Sequence, residues 1–125
     1  MPLNNLEVVT LFVHDIAVAK AFYAKVFAVE VVYFDDVSAV LGLSGAMINL
    51  LEESQAPELV EPLQPARHGV RALLTIKVAD VDVECARLAQ LGIDLLNGPV
   101  NRPWGRRTAA FRDPSGHVWE LAQDV

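Results

Sequence analysis

Cysteine is almost absent from this chain: Cys85 stands alone. No internal disulfide can form, so stability must come from an ordinary apolar core. Basic residues are scarce as well, with 10 Lys+Arg against 16 Asp+Glu and a formal net charge of -6. That balance argues against non-specific binding to nucleic acid or to anionic membranes. No apolar run approaches the roughly 18 residues needed to span a bilayer. The opening Met-Pro-Leu-Asn-Asn-Leu-Glu lacks the basic-then-apolar order of a signal peptide, so a cytoplasmic protein is expected. Gly42, Gly45, Gly69 and Gly98 stand singly, and none builds a glycine-rich phosphate loop after a strand. Nothing supports covalent catalysis: Cys85 falls on the apolar stripe of a helix, and no Ser-His-Asp arrangement follows from spacing.

What is present suffices for one globular domain. The 125 residues are 53% hydrophobic and 21% charged, which excludes a disordered tail. A chain of this size buries about two-thirds of the surface its unfolded form exposes.

The pattern along the chain is periodic and then repeats. Leu6 to Val13 is β-rich and ends at His14-Asp15, where Asp15 suits a helix N-cap. Ile16, Ala19, Phe22, Tyr23 and Val26 follow at helical spacing. Strands are predicted over Val29 to Phe34, Ser38 to Leu43 and Ala46 to Leu51. The stretch 53–69 carries Pro57, Pro62 and Pro65 among acidic residues and reads as a structureless linker. Its charge serves as a lid, as steering for cations, or simply as solvation.

The pattern restarts with a strand over Val70 to Val78 and an N-cap at Asp80. A helix carrying Val81, Cys85, Leu88 and Leu91 stops at Gly92. Strands are predicted over Ile93 to Leu96, Arg106 to Arg112 and His117 to Gln123, with Asn97-Gly98-Pro99 an interruption. Asp113-Pro114-Ser115-Gly116 suits a type I turn with a glycine bulge, which pairs Ala110 with Glu120 and Thr108 with Ala122. The chain is thus an α+β protein of two tandem βαβββ modules, about 5–52 and 70–123, joined by the linker 53–69 within a single domain 1–125. Val13-His14-Asp15 and Val78-Ala79-Asp80 mark one junction at an offset of 65 residues.

Three features together resemble the vicinal oxygen chelate superfamily of glyoxalases, bleomycin-resistance proteins and extradiol dioxygenases. They are the paired modules, the opening Leu-Phe-Val-His-Asp before a helix containing Phe-Tyr, and the closing hairpin from Asp113 to Leu121. The resemblance implies cup-shaped mixed sheets with helices on the convex side, a small-molecule site enclosed by the concave faces of two modules, and a homodimer. It also implies a divalent metal with four ligands in catalytic members. By position those ligands fall on Val8, Asn49, Leu73 and Glu120. Valine and leucine have no lone pair to give, so no metal and no cofactor are expected. A weak Mg²⁺ site completed by substrate oxygens stays open at Asn49 and Glu120. His14, His68 and His117 read as ordinary surface or rim residues.

Strand alternation nominates the lining of the cup: Val8, Thr10 and Phe12, then Met47, Asn49 and Leu51, then Leu73, Thr75 and Lys77, then Thr108, Ala110 and Glu120. Phe111, Trp119 and Leu121 are expected on the convex side. Phe34 and Trp104 are candidates for the rim, Trp104 as a flat face for stacking or as a plain cap on the core. A mostly apolar wall with a few polar points is the usual make-up of a ligand pocket; the same residues also suit a plain core. Glu120 is the candidate catalytic residue. Burial among Val, Leu and Met penalises a charged carboxylate unless it is paired. Its roles are general base, protonated donor or counter-ion to a cationic ligand, and the structural alternative is a pair with Arg106, Arg107 or Arg112.

The leading expectation is a metal-independent binder of an apolar or cationic small molecule, close in character to the bleomycin-resistance branch. The alternative is a lyase, isomerase, transferase or dioxygenase-type enzyme with a degenerate metal site and Glu120 as acid/base. A partner protein with no ligand is the third. Neither nucleic acid nor membrane is an expected partner.

Overall fold

A computed structural model describes residues 2–125. The chain divides into two compact units, Met1–His68 and Gly69–Val125.

In the first unit the order is β1 (Val8–Val13), α1 (Ile16–Val26), β2 (Val31–Phe34), β3 (Ser38–Gly42) and β4 (Met47–Glu52). The strands form one mixed sheet in the order β1-β4-β3-β2, with β1 parallel to β4 and the other pairs antiparallel. Asp15 caps α1 as its sequence position predicts, its carboxylate accepting from the amide of Val18 at 3.1 Å. The helix buries Ile16, Ala19, Tyr23 and Val26, and the sheet buries Leu11, Val13, Ala39, Leu41, Ile48 and Leu50. Helical and strand periodicities each supply one apolar face, and these make the core of the unit.

The second unit repeats the plan with β5 (Leu73–Lys77), α3 (Val81–Gln90), β6 (Asn97–Arg102), β7 (Arg106–Arg112) and β8 (Val118–Asp124). Its sheet order is β5-β8-β7-β6, again with first and last strands parallel. Asp80 caps α3 by accepting from Val83 at 3.1 Å. One side of the sheet carries the buried Ala109, Phe111, Trp119 and Leu121. Arg107 on that same side reaches Asp82 of α3, which places the helix there.

A second tie repeats between the units. The amide of Ile16 donates to Glu52 Oε1 at 3.2 Å, and the amide of Val81 donates to Gln123 Oε1 at 2.8 Å. Both amides open a helix and lack an intrahelical acceptor, and both find one on the last strand of their own unit.

Four expectations need correction. The stretch after β4 is not structureless: Glu53–Gln55 forms a 3-10 turn, and α2 (Pro57–Val60) follows. Proline at the first position of α2 costs no hydrogen bond, and Ala56 beneath it is fully buried. The strand predicted over Ile93 to Leu96 lies instead at Asn97–Arg102. Gly98-Pro99 does not interrupt pairing but forms a bulge between Asn97↔Ala110 and Val100↔Thr108. Proline is tolerated there because β6 is an edge strand. Glycine is required because a Cβ at Gly98 would stand 2.4 Å from the Thr108 carbonyl oxygen. The strand predicted over Val70 to Val78 is shorter, Leu73–Lys77.

Candidate functional site

The registers sort the nominated residues by face. In the first sheet Val8↔Met47, Thr10↔Asn49 and Phe12↔Leu51 are direct partners, so these six share one face. It is the face opposite Leu11, Ile48 and Leu50, and all six are half-buried. The Asn49 carboxamide donates to Thr10 Oγ1 over a long 3.4 Å.

Phe34 lies on the other face. It pairs with Ala39, which pairs with the fully buried Leu50. The ammonium of Lys20, on α1, sits 4.0 Å above its ring centre. A register shift between Val31 and Tyr33 explains this, because one extra residue inverts the alternation that follows it. Tyr33 takes the place across from Val40 and Asn49, with its hydroxyl donating to Asp35 at 3.0 Å. That hydrogen bond pushes the Tyr33 phenol above its ordinary range. Asp35 is held below its own, first by the amide of Val37 and then by the hydroxyl of Ser38. Only a bulge signal in the sequence could have exchanged Phe34 for Tyr33, and Val-Val-Tyr-Phe carries none.

In the second sheet the Asp113 turn forms, with the Gly116 amide donating to the Asp113 carbonyl at 3.1 Å and Gly116 at φ 93°. The Asp113 carboxylate is buried and accepts from the amides of Ser115 and His117 and from the His117 ring at 2.8 Å. The hairpin that results pairs Ala110 with Glu120 and Thr108 with Ala122. Parallel pairing adds Leu73↔Val118 and Thr75↔Glu120. Leu73, Thr75, Thr108, Ala110 and Glu120 therefore share one face, away from Trp119, Leu121 and α3. Trp119 is 1% exposed, whereas Trp104, in the turn between β6 and β7, is 68% exposed.

Glu120 is half-buried and accepts a hydrogen bond from Thr75 Oγ1 at 3.0 Å. The arginines proposed to neutralise it are engaged elsewhere or stand apart. Arg106 pairs with Asp124 at 2.6 Å, and Arg107 pairs with Asp82 at 2.9 Å on the opposite face. Arg112 makes no ion pair with it among the described residues. Sequence reasoning missed Arg102 and Asn97 on this same face. Arg102 Nε donates to Thr108 Oγ1 at 2.9 Å and its Nη2 to Asn97 Oδ1 at 3.1 Å.

The four-ligand metal set implied by the resemblance is not reproduced. Val8 and Leu73 offer no donor atom, and Asn49 and Glu120 are each engaged by a threonine. Among the described residues no three His, Cys, Asp or Glu side chains group closely enough to hold a metal. His14 bonds Glu53 at 3.0 Å, His117 bonds Asp113, and His68 is exposed. Cys85 is half-buried, and burial pushes its thiol above the ordinary range, away from thiolate reactivity. No helix among the described residues is long and apolar enough to cross a membrane.

Comparison with known proteins places this geometry. The sequence profile of the Glyoxalase/Bleomycin resistance protein/Dioxygenase superfamily matches residues 5–121. An antibiotic-binding protein from Streptomyces sp. CB03234 is similar in structure, with a TM-score of 0.77 at 27% identity, covering 100% of this chain and 99% of that one. A glyoxalase-related enzyme from Fulvimarina pelagi superposes with a TM-score of 0.86 at 24% identity, over 98% of this chain and 89% of that one. Lactoylglutathione lyase from Agrobacterium tumefaciens gives 0.80 at 22% identity, over 98% and 95%. The last two likenesses show the shared fold.

Proposed function

The chain belongs to the Glyoxalase/Bleomycin resistance protein/Dioxygenase superfamily, and from that membership we propose that it is a metal-independent small-molecule binding protein. The ligand is apolar or cationic, and it rests on the sheet face that carries Glu120. The observation that carries the reading is the state of that carboxylate. Glu120 is half-buried on a sheet face turned away from the helix, and its hydrogen-bond partner is the neutral Thr75. A carboxylate placed like this attracts a cation or a hydrogen-bond donor, because its own side chains leave it uncompensated. Likeness to an antibiotic-binding protein at 27% identity points the same way. The exposed Trp104, in the turn that closes β6 onto β7 beside the Asp124 end of β8, supplies a stacking surface. The reading includes a homodimer, tested by light scattering for twice the chain mass.

The binding test uses Trp119→Phe protein, in which fluorescence reports Trp104 alone, titrated with a panel of aromatic and cationic natural products. We expect a saturable change for at least one cationic member, unaffected by a chelator and weakened roughly tenfold or more by Glu120→Gln. A panel that raises the melting temperature through a site mapped away from Glu120 and Trp104 overturns the reading. So does turnover of a panel member that Glu120→Gln abolishes.

A further inference from the structure

Arg102 is the unassigned group on the ligand face, and its surroundings differ from those of its neighbours. Arg106, directly across the ladder from it, is neutralised by Asp124, and Arg107 is neutralised by Asp82. Arg102 is half-buried and held only by neutral oxygens, Thr108 Oγ1 and Asn97 Oδ1. Among the described residues no carboxylate lies within ion-pair distance of it. Thr108 is 1% exposed, so the oxygen that fixes Nε is itself rigidly placed. The guanidinium is thus oriented in advance with its charge unspent. That is the arrangement that binds an oxyanion with little further loss of side-chain freedom.

The direction of the side chain completes the argument. Arg102 does not point out along its own row. It folds back five residues along β6 to reach Asn97. Asn97 pairs with Ala110, and Ala110 pairs with Glu120. The guanidinium therefore lies between the Thr108 row, where its Nε is held, and the Asn97–Ala110–Glu120 row that its Nη2 reaches, with the buried, small Ala110 as a floor on the side of Glu120. Two ladder steps separate the Cα atoms of Asn97 and Glu120 by about 10 Å. We propose that Arg102 anchors an oxyanion of the ligand, a carboxylate in the simplest case, while Glu120 takes an ammonium or hydroxyl donor of the same molecule. The ligand class is then narrower than cationic alone: a small compound whose ammonium or other donor end meets Glu120 and whose anionic group lies across Ala110. This inference rests on the reading that the Glu120 face is the ligand site.

The test follows the Arg102 Nε–Hε resonance and the Thr108 amide by NMR in full-length protein. The protein is titrated with sodium acetate, with 4-(aminomethyl)benzoate and with its methyl ester, against sodium chloride at equal ionic strength. We expect a saturable shift with acetate beyond that of chloride. The zwitterion should bind at least tenfold more tightly than its ester, and Arg102→Gln should reduce that ratio to near one. Arg102→Lys, which keeps the charge but loses the fork, should retain only part of the preference. Arg106→Gln should leave it unchanged. The inference is overturned if acetate acts no differently from chloride, or if the acid-to-ester ratio survives in Arg102→Gln protein whose amide spectrum shows it folded. Cationic compounds that still depend on Glu120 but not on Arg102 would sink the anchor and leave the binding function standing. Loss of dependence on both residues would sink both.

Discussion

The two modules repeat the same scaffold but load it differently. Each has an aspartate cap on its helix, a parallel first-to-last strand pair, and a last-strand oxygen bonded to the first helical amide. Their helix-free sheet faces diverge. In the first, Asn49 on Thr10 and Tyr33 on Asp35 are polar contacts beside Val8, Phe12, Met47 and Leu51. In the second, Glu120, Arg102 and the Asp124 pair with Lys77 and Arg106 put charge on the matching strands. The geometry that fixes a module recurs in both copies, while the ion pairs on the helix-free face stand in one. A duplicated fold can hold its shape with one half and specialise the other.

The sharpest break between the modules is at the bulge of β6, which β2 does not share in kind. Gly98→Ala would drive a Cβ to 2.4 Å from the Thr108 oxygen and 2.8 Å from the Ala109 Cα, both backbone atoms that cannot turn aside. We expect a loss above about 3 kcal/mol by denaturant unfolding, and Gly45→Ala, with open space around it but φ at 95°, should cost only the left-handed strain of about 1–2 kcal/mol.

The strand-joining turns come next. Asp113→Ala strands two amides and a histidine ring around a buried site, so a loss of about 2–3 kcal/mol is expected. In the turn between β3 and β4, the exposed Ser44 should change stability by less than about 0.5 kcal/mol when replaced by alanine. Equal effects at the two turns would show that the Asp113 network is decoration.

The helix caps sharpen the likeness instead. Asp15→Ala and Asp80→Ala should each cost about 1 kcal/mol and match within error, since cap distances are the same. A smaller difference sits at the helix ends. Gly92 takes φ 77°, but its counterpart after α1 is Ala28 at φ 53°. Left-handed alanine is disfavoured, so Ala28→Gly should raise the melting temperature, a gain of up to about 1 kcal/mol, while Gly92→Ala lowers it.

Acid and salt give the smallest contrast. Asp82 is held below the ordinary carboxylate value of 3.8 by hydrogen bonding to Arg107, and Asp124 by Lys77 and then Arg106. Asp35 in the first module is held down mainly by turn amides and a hydroxyl. All three contribute stability that is present above about pH 4 and lost as pH falls through the lowered values. Salt should weaken the second-module share and spare the first. Hydrogen exchange at pH 3 and 7 with and without salt, read module by module, checks this; equal salt dependence would refute it.

Much of this was legible in residue order. Both caps, both helices and the register of β7 on β8 follow from aspartates before apolar stripes and from Asp-Pro-Ser-Gly. Local chemistry determines such features, so a local pattern reveals them. What escaped is set by tertiary contact. Gly98-Pro99 reads as a breaker until β7 is beside it. Phe34 reads as a rim residue until a bulge turns it under Lys20. Arg102 reads as one more surface cation until its side chain is seen folding back to Asn97. The short α2 hides in a proline-rich stretch because proline at a helix start and proline in a loop look alike.

The parallel pairing of first and last strands also has a mechanical meaning. Within each module the chain enters on one strand and leaves on its immediate neighbour, running in the same direction. Tension applied between Val8 and Glu52, or between Leu73 and Asp124, pulls those neighbours along their length in opposite senses. The ladder between them is then loaded in shear, with its slanted hydrogen bonds sharing the force, and it is not peeled open one bond at a time. Each module is built like a buckle whose two straps leave from the same clasp, and resistance to stretching belongs to β1·β4 and β5·β8 before any other part of the sheet.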